Sequence, residues 1–241
     1  MARGPFHLTI CPGAWSAPSQ WLAVQDSLLR YPTHLSGVTC ADWPTDDASA
    51  GLEAHAEAVL SALPDEAEQV ILLAHSFGAY PALEAAAQVS DRVKGLAFLD
   101  AFLPSEGQSV LDHSAGRRGA DQMRADALNG LLLPPDPGIW NLDPAGAEAL
   151  KPHLRPQALL SFEQGLSAAA SQALDQVSHK AFLNAGGHEN SPFRQAFDQL
   201  EGRADWFALQ IDGGHMLNVE RPAAVAYWVA QFLSMAAGKG F

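Results

Sequence analysis

From Val70 to Ala74 the chain reads Val-Ile-Leu-Leu-Ala, five apolar residues without alternation. A strand with one wet face alternates apolar and polar side chains, whereas a strand that is apolar throughout must be covered on both faces. Six short segments read as strands, mostly as continuous apolar runs of this kind: Phe6–Cys11, Gly37–Ala41, Gln69–Ala74, Val93–Leu99, Ala181–Asn184 and Trp206–Ile211. Helical spacing fills the gaps. Trp21, Val24, Leu28 and Leu29 fall at i, i+3, i+7 and i+8, and Leu52, Ala56, Val59, Leu60 and Leu63 make a second apolar face. The segment 221–235 places Pro222 near its first helical turn, where a missing N–H costs nothing. Strands alternating with helices predict an α/β fold, a mostly parallel, doubly wound sheet of about six strands with right-handed crossovers.

One interval breaks the rhythm. Residues 104–179 separate the fourth and fifth apolar runs by roughly 75 residues, several times an ordinary connection. Within it, 120–133 and 156–174 read as helices, joined by the turn-rich stretch 134–144. The organisation predicted is a core of residues 1–103 and 180–241, with a helical cap, 104–179, inserted after the fourth strand over one edge of the sheet.

Hydrophobic residues make up 48% of the 241, enough to bury one sizeable core. The formal net charge is −13, and Gly116–Gly119, with two arginines, is too short to serve as a nucleic-acid footprint. Cys11 and Cys40 fit neither a CxxC nor a metal-ligand spacing and are expected as small buried residues. No basic-then-apolar leader opens the chain, and no window reaches the ~20 apolar residues of a membrane span, so a cytoplasmic protein without a membrane partner is expected. The apolar run 227–233 suits packing inward or against a second copy, which leaves monomer and homodimer both open.

In a doubly wound sheet, functional groups collect at the carboxyl ends of the strands. Ser76 sits at such an end in Ala74-His75-Ser76-Phe77-Gly78, directly before an alanine-rich helical pattern. This is a variant of the G-x-S-x-G elbow, in which a serine is held on a strained strand-to-helix turn and its neighbours two positions away must be small. A serine hydroxyl needs a base. His215, after the last predicted strand and behind Gly213 and Gly214, is the histidine placed to supply it. Two carboxylates are candidates for orienting that histidine: Asp100, at the end of the fourth strand, and Glu189, in the Gly/Asn-rich loop after the fifth. Asp100 is favoured because holding an imidazole needs a fixed strand-end position. The oxyanion donors expected are the Phe77 N–H and, from the loop after the first strand, the Ala14 N–H beside Gly13. Trp15 is a candidate pocket wall. No metal or cofactor is called for, and His188-Glu189 lacks a metal spacing.

The elbow, the Pro-Gly-Ala-Trp loop at 12–15, the stretches 99–109 and 155–166, and the terminal Gly-Gly-His-Met-Leu at 213–217 resemble the α/β-hydrolases of the esterase and hydroxynitrile lyase branch. The resemblance spans nearly the whole chain and implies an α/β-hydrolase fold with a Ser76–Asp100–His215 triad acting through an acyl-enzyme. That branch usually has histidine where this chain has Pro12. The lyases carry lysine directly after the catalytic histidine, and here that residue is Met216, which favours ester cleavage over cyanohydrin cleavage. The same fold hosts cofactor-free dioxygenases, which resemble this branch and place their acid at the Asp100 position, and non-catalytic ligand-binding relatives. These are the alternative readings. Leu131, Leu132, Leu133, Trp140, Leu159 and Leu160 in the cap, with Phe102 and Met216 at the mouth, predict a mostly apolar pocket for a small or medium neutral ester or lactone.

Overall fold

The computed structural model describes residues 4–31, 34–64, 69–114, 119–189 and 191–238. Met1–Arg3, Gly116–Arg118 of the short basic run, and Asn190 beside Glu189 lie outside the described residues.

The strands are β1 (Phe6–Cys11), β2 (Leu35–Cys40), β3 (Gln69–His75), β4 (Val93–Leu99), β5 (Leu131–Leu132), β6 (Gln157–Ala158), β7 (His179–Ala185) and β8 (Phe207–Ile211). Six of them form one sheet in the order β2-β1-β3-β4-β7-β8, every neighbouring pair parallel. Helices α1 (Leu22–Leu28), α2 (Leu52–Ser61) and α3 (Ala79–Gln88) fall between the first four strands. Between β4 and β7 come α4 (Val110–Ser114), α5 (Ala120–Asp126), α6 (Pro144–Leu150), α7 (Leu160–Glu163) and α8 (Ala168–Gln176). Helix α9 (Arg194–Leu200) precedes β8, and α10 (Leu217–Glu220) and α11 (Pro222–Ala236) follow it.

The unbroken apolar runs are explained by where their side chains go. Val70, Leu72 and Ala74 of β3 enter one core with Phe98, Phe182 and helix α3, while Ile71 and Leu73 enter a second with Trp21, Trp228 and Phe232. Alternate side chains of one strand thus feed two buried layers, as the absence of alternation requires. Helices α1 and α11 pack together on one side, and α2, α3 and α8 line the other. Among the described residues no helix is long and apolar enough to cross a membrane.

Some local expectations are corrected. Leu29 is 85% exposed, because α1 ends at Leu28 and the next position turns away from the stripe formed by Trp21, Val24 and Leu28. The predicted helix over 120–133 stops at Asp126. Asn129 and Gly130, both at positive φ, make a tight hairpin turn closed by reciprocal backbone hydrogen bonds between Leu128 and Leu131, and β5, which starts at Leu131, then pairs antiparallel with the distant β6. An Asn-Gly pair favours that hairpin geometry over a continuing helix. Leu133, expected among the apolar residues of 104–179, is 54% exposed. The predicted helix over 156–174 is broken at Gly165, where a Cβ would lie 2.2 Å from the Gly107 carbonyl oxygen, and its second half, α8, packs along α3.

Phe182 is fully buried on β7 and packs against Phe197 of α9. Phe182→Ala is expected to cost about 3–5 kcal/mol, read as a lower urea midpoint at unchanged slope.

Candidate active site

Ser76 begins the turn that joins β3 to α3, with φ 52° and a half-buried side chain. A non-glycine residue held there is strained, and the surroundings show what holds it. A Cβ on Gly78 would sit 2.2 Å from the Cys11 carbonyl oxygen and 2.4 Å from that of Pro12, so the loop after β1 lies directly on the elbow. A Cβ on Gly13 would sit 3.3 Å from Ser76 Cβ and 2.7 Å from His75 Nδ1. The glycines at 13 and 78 are what let the two turns touch.

That contact orients the two expected oxyanion donors. The Trp43 indole N–H donates to the Gly13 carbonyl at 3.2 Å. In a trans peptide the carbonyl and the following N–H point opposite ways, so this bond fixes the direction of the Ala14 N–H. Trp15, next in the loop, has φ 59° and donates its indole N–H to the Leu132 carbonyl, while its own carbonyl accepts the Arg155 N–H.

Asp100 follows β4 with φ 38° and is fully buried. Its N–H donates to Leu183 of β7, and its carboxylate accepts three N–H groups. Ala185 N–H reaches Oδ1 at 3.2 Å, and His215 Nδ1 and His188 Nδ1 both reach Oδ2, at 2.7 and 2.8 Å. Burial pushes this carboxyl up, but the imidazole hydrogen bonds outweigh it and hold the group below its usual range, ionised. His215 is shifted down by burial, opposed by Asp100, and so is a neutral base near pH 7. Among the described residues no hydrogen bond joins Ser76 Oγ to His215, and such contacts often close only on substrate.

Of the two carboxylates weighed in the sequence, Asp100 is the one that meets His215, and Glu189 is exposed on the turn after β7. Met216, expected at the mouth, is 2% exposed and packs with Trp140 and Leu150, with Trp15 against that cluster. Phe102 is buried among Tyr80, His113 and Phe193. The His215 ring lies between these groups, 5.2 Å from Phe193 and 6.5 Å from Trp140.

The interval 104–179 also braces the histidine. The Trp140 carbonyl accepts the His215 N–H at 2.9 Å, and a Cβ on Gly214 would lie 2.6 Å from that same oxygen. The Glu220 carboxylate accepts the N–H of Gly214 on one oxygen and that of Asp143 on the other, tying the histidine turn to the inserted segment.

Sequence reasoning missed His75, His188, Trp43 and Phe193. Only His188 carried a usable signal, being a histidine in the loop where this fold often places its acid. His75 donates Nε2–H to the His215 carbonyl, and burial, then the nearby His215, depress it to about 3. Asp100, His188 and His215 each offer a ligand atom within 4.8 Å of the others, a set that a divalent ion could share. Both Nδ1 atoms sit at hydrogen-bond distance from Oδ2, however, as protonated donors to a carboxylate do, and a metal would have to displace both protons.

Residues 10–226 match the model of the Alpha/beta hydrolase family, and the chain belongs to that family. It is 27% identical over 186 residues to the carbendazim hydrolyzing esterase of Nocardioides sp. (strain SG-4G), covering 73% of this chain and 76% of that one. Among solved structures, an extracellular alpha/beta-hydrolase from a Paenibacillus species superposes with a TM-score of 0.77 at 21% identity, covering 94% of this chain and 98% of the other. It is described as sharing structural and functional homology with tobacco salicylic acid binding protein 2. A pyrethroid hydrolase from Sphingobium faniae JZ-2 superposes at 0.67 with 19% identity, over 97% and 98% of the two chains.

The depressed His75 gives a stability test. Folded, it stays neutral down to about pH 3, whereas unfolded it takes a proton below about 6.5, so acid favours the unfolded chain through that window. Between pH 7 and 5, wild type is expected to lose about 2 kcal/mol more than His75→Gln, read from urea unfolding at the two pH values.

Proposed function

We propose that the protein is a serine hydrolase that cleaves a small to medium, largely apolar carboxylic ester or lactone through an acyl-enzyme. The observation that carries this reading is the 2.7 Å bond between buried Asp100 Oδ2 and His215 Nδ1, with the His215 ring 4.6 Å from that of His75, the residue before a serine held at positive φ on a strand-to-helix turn. Asp100 keeps the Nδ1 proton in place, which leaves Nε2 as the free base. His215 takes the Ser76 proton as Oγ attacks the carbonyl carbon. The Ala14 and Phe77 N–H groups bind the oxyanion, each worth about 3–4 kcal/mol in sites of this kind. His215 then protonates the departing alcohol, and water, activated by the same imidazole, releases the acid.

Residues 104–179 act in this reading as a cap. The bonds from Trp15 to Leu132, from Arg155 to Trp15 and from His215 to Trp140 tie that segment to both loops carrying the chemistry. The aromatic ring of Trp15, 6.3 Å from that of Trp140 and 5.5 Å from that of Phe162 between centroids, supplies with them an apolar wall and favours neutral substrates. Met216 supports it from behind Trp140, and Phe102 packs beside Phe193 and His113. The names of the Nocardioides esterase and the Sphingobium pyrethroid hydrolase agree with hydrolysis of small organic molecules. No metal or cofactor takes part in these steps.

Ser76→Ala and His215→Ala should each lower kcat on p-nitrophenyl acetate or butyrate by at least ~10³-fold with the fold intact, and Asp100→Asn by a similar factor. Glu189→Gln should stay near wild type. Loss of activity in Glu189→Gln with Asp100→Asn active would overturn the acid assignment. Oxygen uptake without ester turnover would favour the dioxygenase reading, which places its acid at the same strand end.

A further inference from the structure

A carboxylate that orients one catalytic imidazole ordinarily needs one imidazole. Here two share a single oxygen. His188 Nδ1 lies 2.8 Å and His215 Nδ1 2.7 Å from Asp100 Oδ2, and the two rings stand 4.8 Å apart. Because an ionised carboxylate only accepts, both Nδ1 atoms carry protons. An oxygen with two lone-pair directions has room for one donor on each, while Oδ1 takes Ala185 N–H. His188 is itself buried, 7% exposed, with Phe193 against its ring. Its place follows from the chain: the turn after β7 folds back through the His188 N–H to Ala185 bond, and Gly187 is bound to Gly213 of the His215 loop. The backbone therefore carries His188 to the carboxylate by the same turn that meets the catalytic loop.

We propose that His188 is a positioning residue of the relay, which locks the Asp100 carboxylate and divides its charge between two imidazoles so that His215 receives only part of it. The inference rests on the hydrolase reading for its effect on turnover, but not for its effect on His215. Without the second donor, the carboxylate negative charge is concentrated toward His215, whose imidazolium is then more stable and whose proton is released at higher pH. The other groups facing His215 are few: His75 from the end of β3, neutral, and the rings of Trp140 and Phe193, with the Glu220 carboxylate one residue away on Gly214 N–H. Facing His188 are Asp100, His215 and Phe193. The direction of the change is therefore set by Asp100. The nearby His188 holds the His215 imidazole down, in the same sense.

The test compares His188→Leu, which removes the donor, with His188→Asn, whose amide nitrogen stands close to where Nδ1 was. The His215 imidazole is titrated by nitrogen NMR in wild type and both variants, and kcat/KM on p-nitrophenyl butyrate is followed from pH 4.5 to 9 (assay range, roughly spanning the histidine titration). In His188→Leu the His215 midpoint and the acidic limb of kcat/KM should both move up by about one pH unit, an approximately tenfold loss of activity below the limb with little change above it. His188→Asn should return the midpoint most of the way to the wild-type value. An unchanged His215 midpoint in a folded leucine variant, or equal shifts in the asparagine and leucine variants, would overturn the proposal. If the leucine variant does not fold, His188→Ala carries the same expectation as the variant without a donor. A shifted NMR midpoint in a protein with no esterase activity would uphold the positioning role and reject the hydrolase reading, so the two fail separately.

Discussion

The Asp100 carboxylate is fully buried, and a buried charge is tolerable only when its oxygens are saturated by donors. Three N–H groups meet that requirement, one from the end of β7 and two from imidazoles on the loops after β7 and β8. The adjacency of β4, β7 and β8 in the sheet makes the arrangement available, because their carboxyl ends place all three groups around one point. Asp100 pays with a positive φ of 38°, as Ser76 and Trp15 do nearby. Three of the five described non-glycine residues at positive φ are therefore at this site, where strain is held by dense packing rather than relieved.

The remaining geometry serves to bring loops into contact without side chains between them. Gly13 and Gly78 admit the β1 loop onto the elbow, and Gly214 admits the Trp140 carbonyl onto the histidine turn. Trp43 and Glu220 act at one remove. The first turns the Gly13–Ala14 peptide, and the second holds the Gly214 and Asp143 N–H groups on one carboxylate. Residues 104–179 are thus tied by hydrogen bonds to the loops that carry Trp15 and His215.

What was legible in the sequence follows from how local each cause is. The central strands β3, β4 and β7 could be read because burial on both faces leaves a nearly unbroken apolar run, whereas the edge strands β2 and β8 are only partly buried, and pairing extends β7 out to His179 and Ala185, beyond its run. Ser76 and His215 could be placed because the elbow and the glycine-flanked turn are short-range patterns. Asp100 was reached by position on a strand end, and its 2.7 Å bond to His215 agrees with that choice over Glu189. Trp43 left no such trace, and His188 left only its place in the loop after β7. Each matters through a partner 88 or 30 residues away, and only the folded sheet brings them together. In 120–133 an apolar pattern looked helical, while the Asn129-Gly130 turn decided the outcome.

The central claim is that Ser76 carries the acyl group during turnover, and the most direct measurement is acid-quenched trapping of that intermediate. Wild-type protein mixed with excess p-nitrophenyl acetate should show, after rapid quench and peptide mass mapping, a single acetyl group on the peptide holding Ser76. It should form in a burst no slower than the steady state. Turnover with no acetyl group on that peptide, or with the label on another residue, would contradict the account.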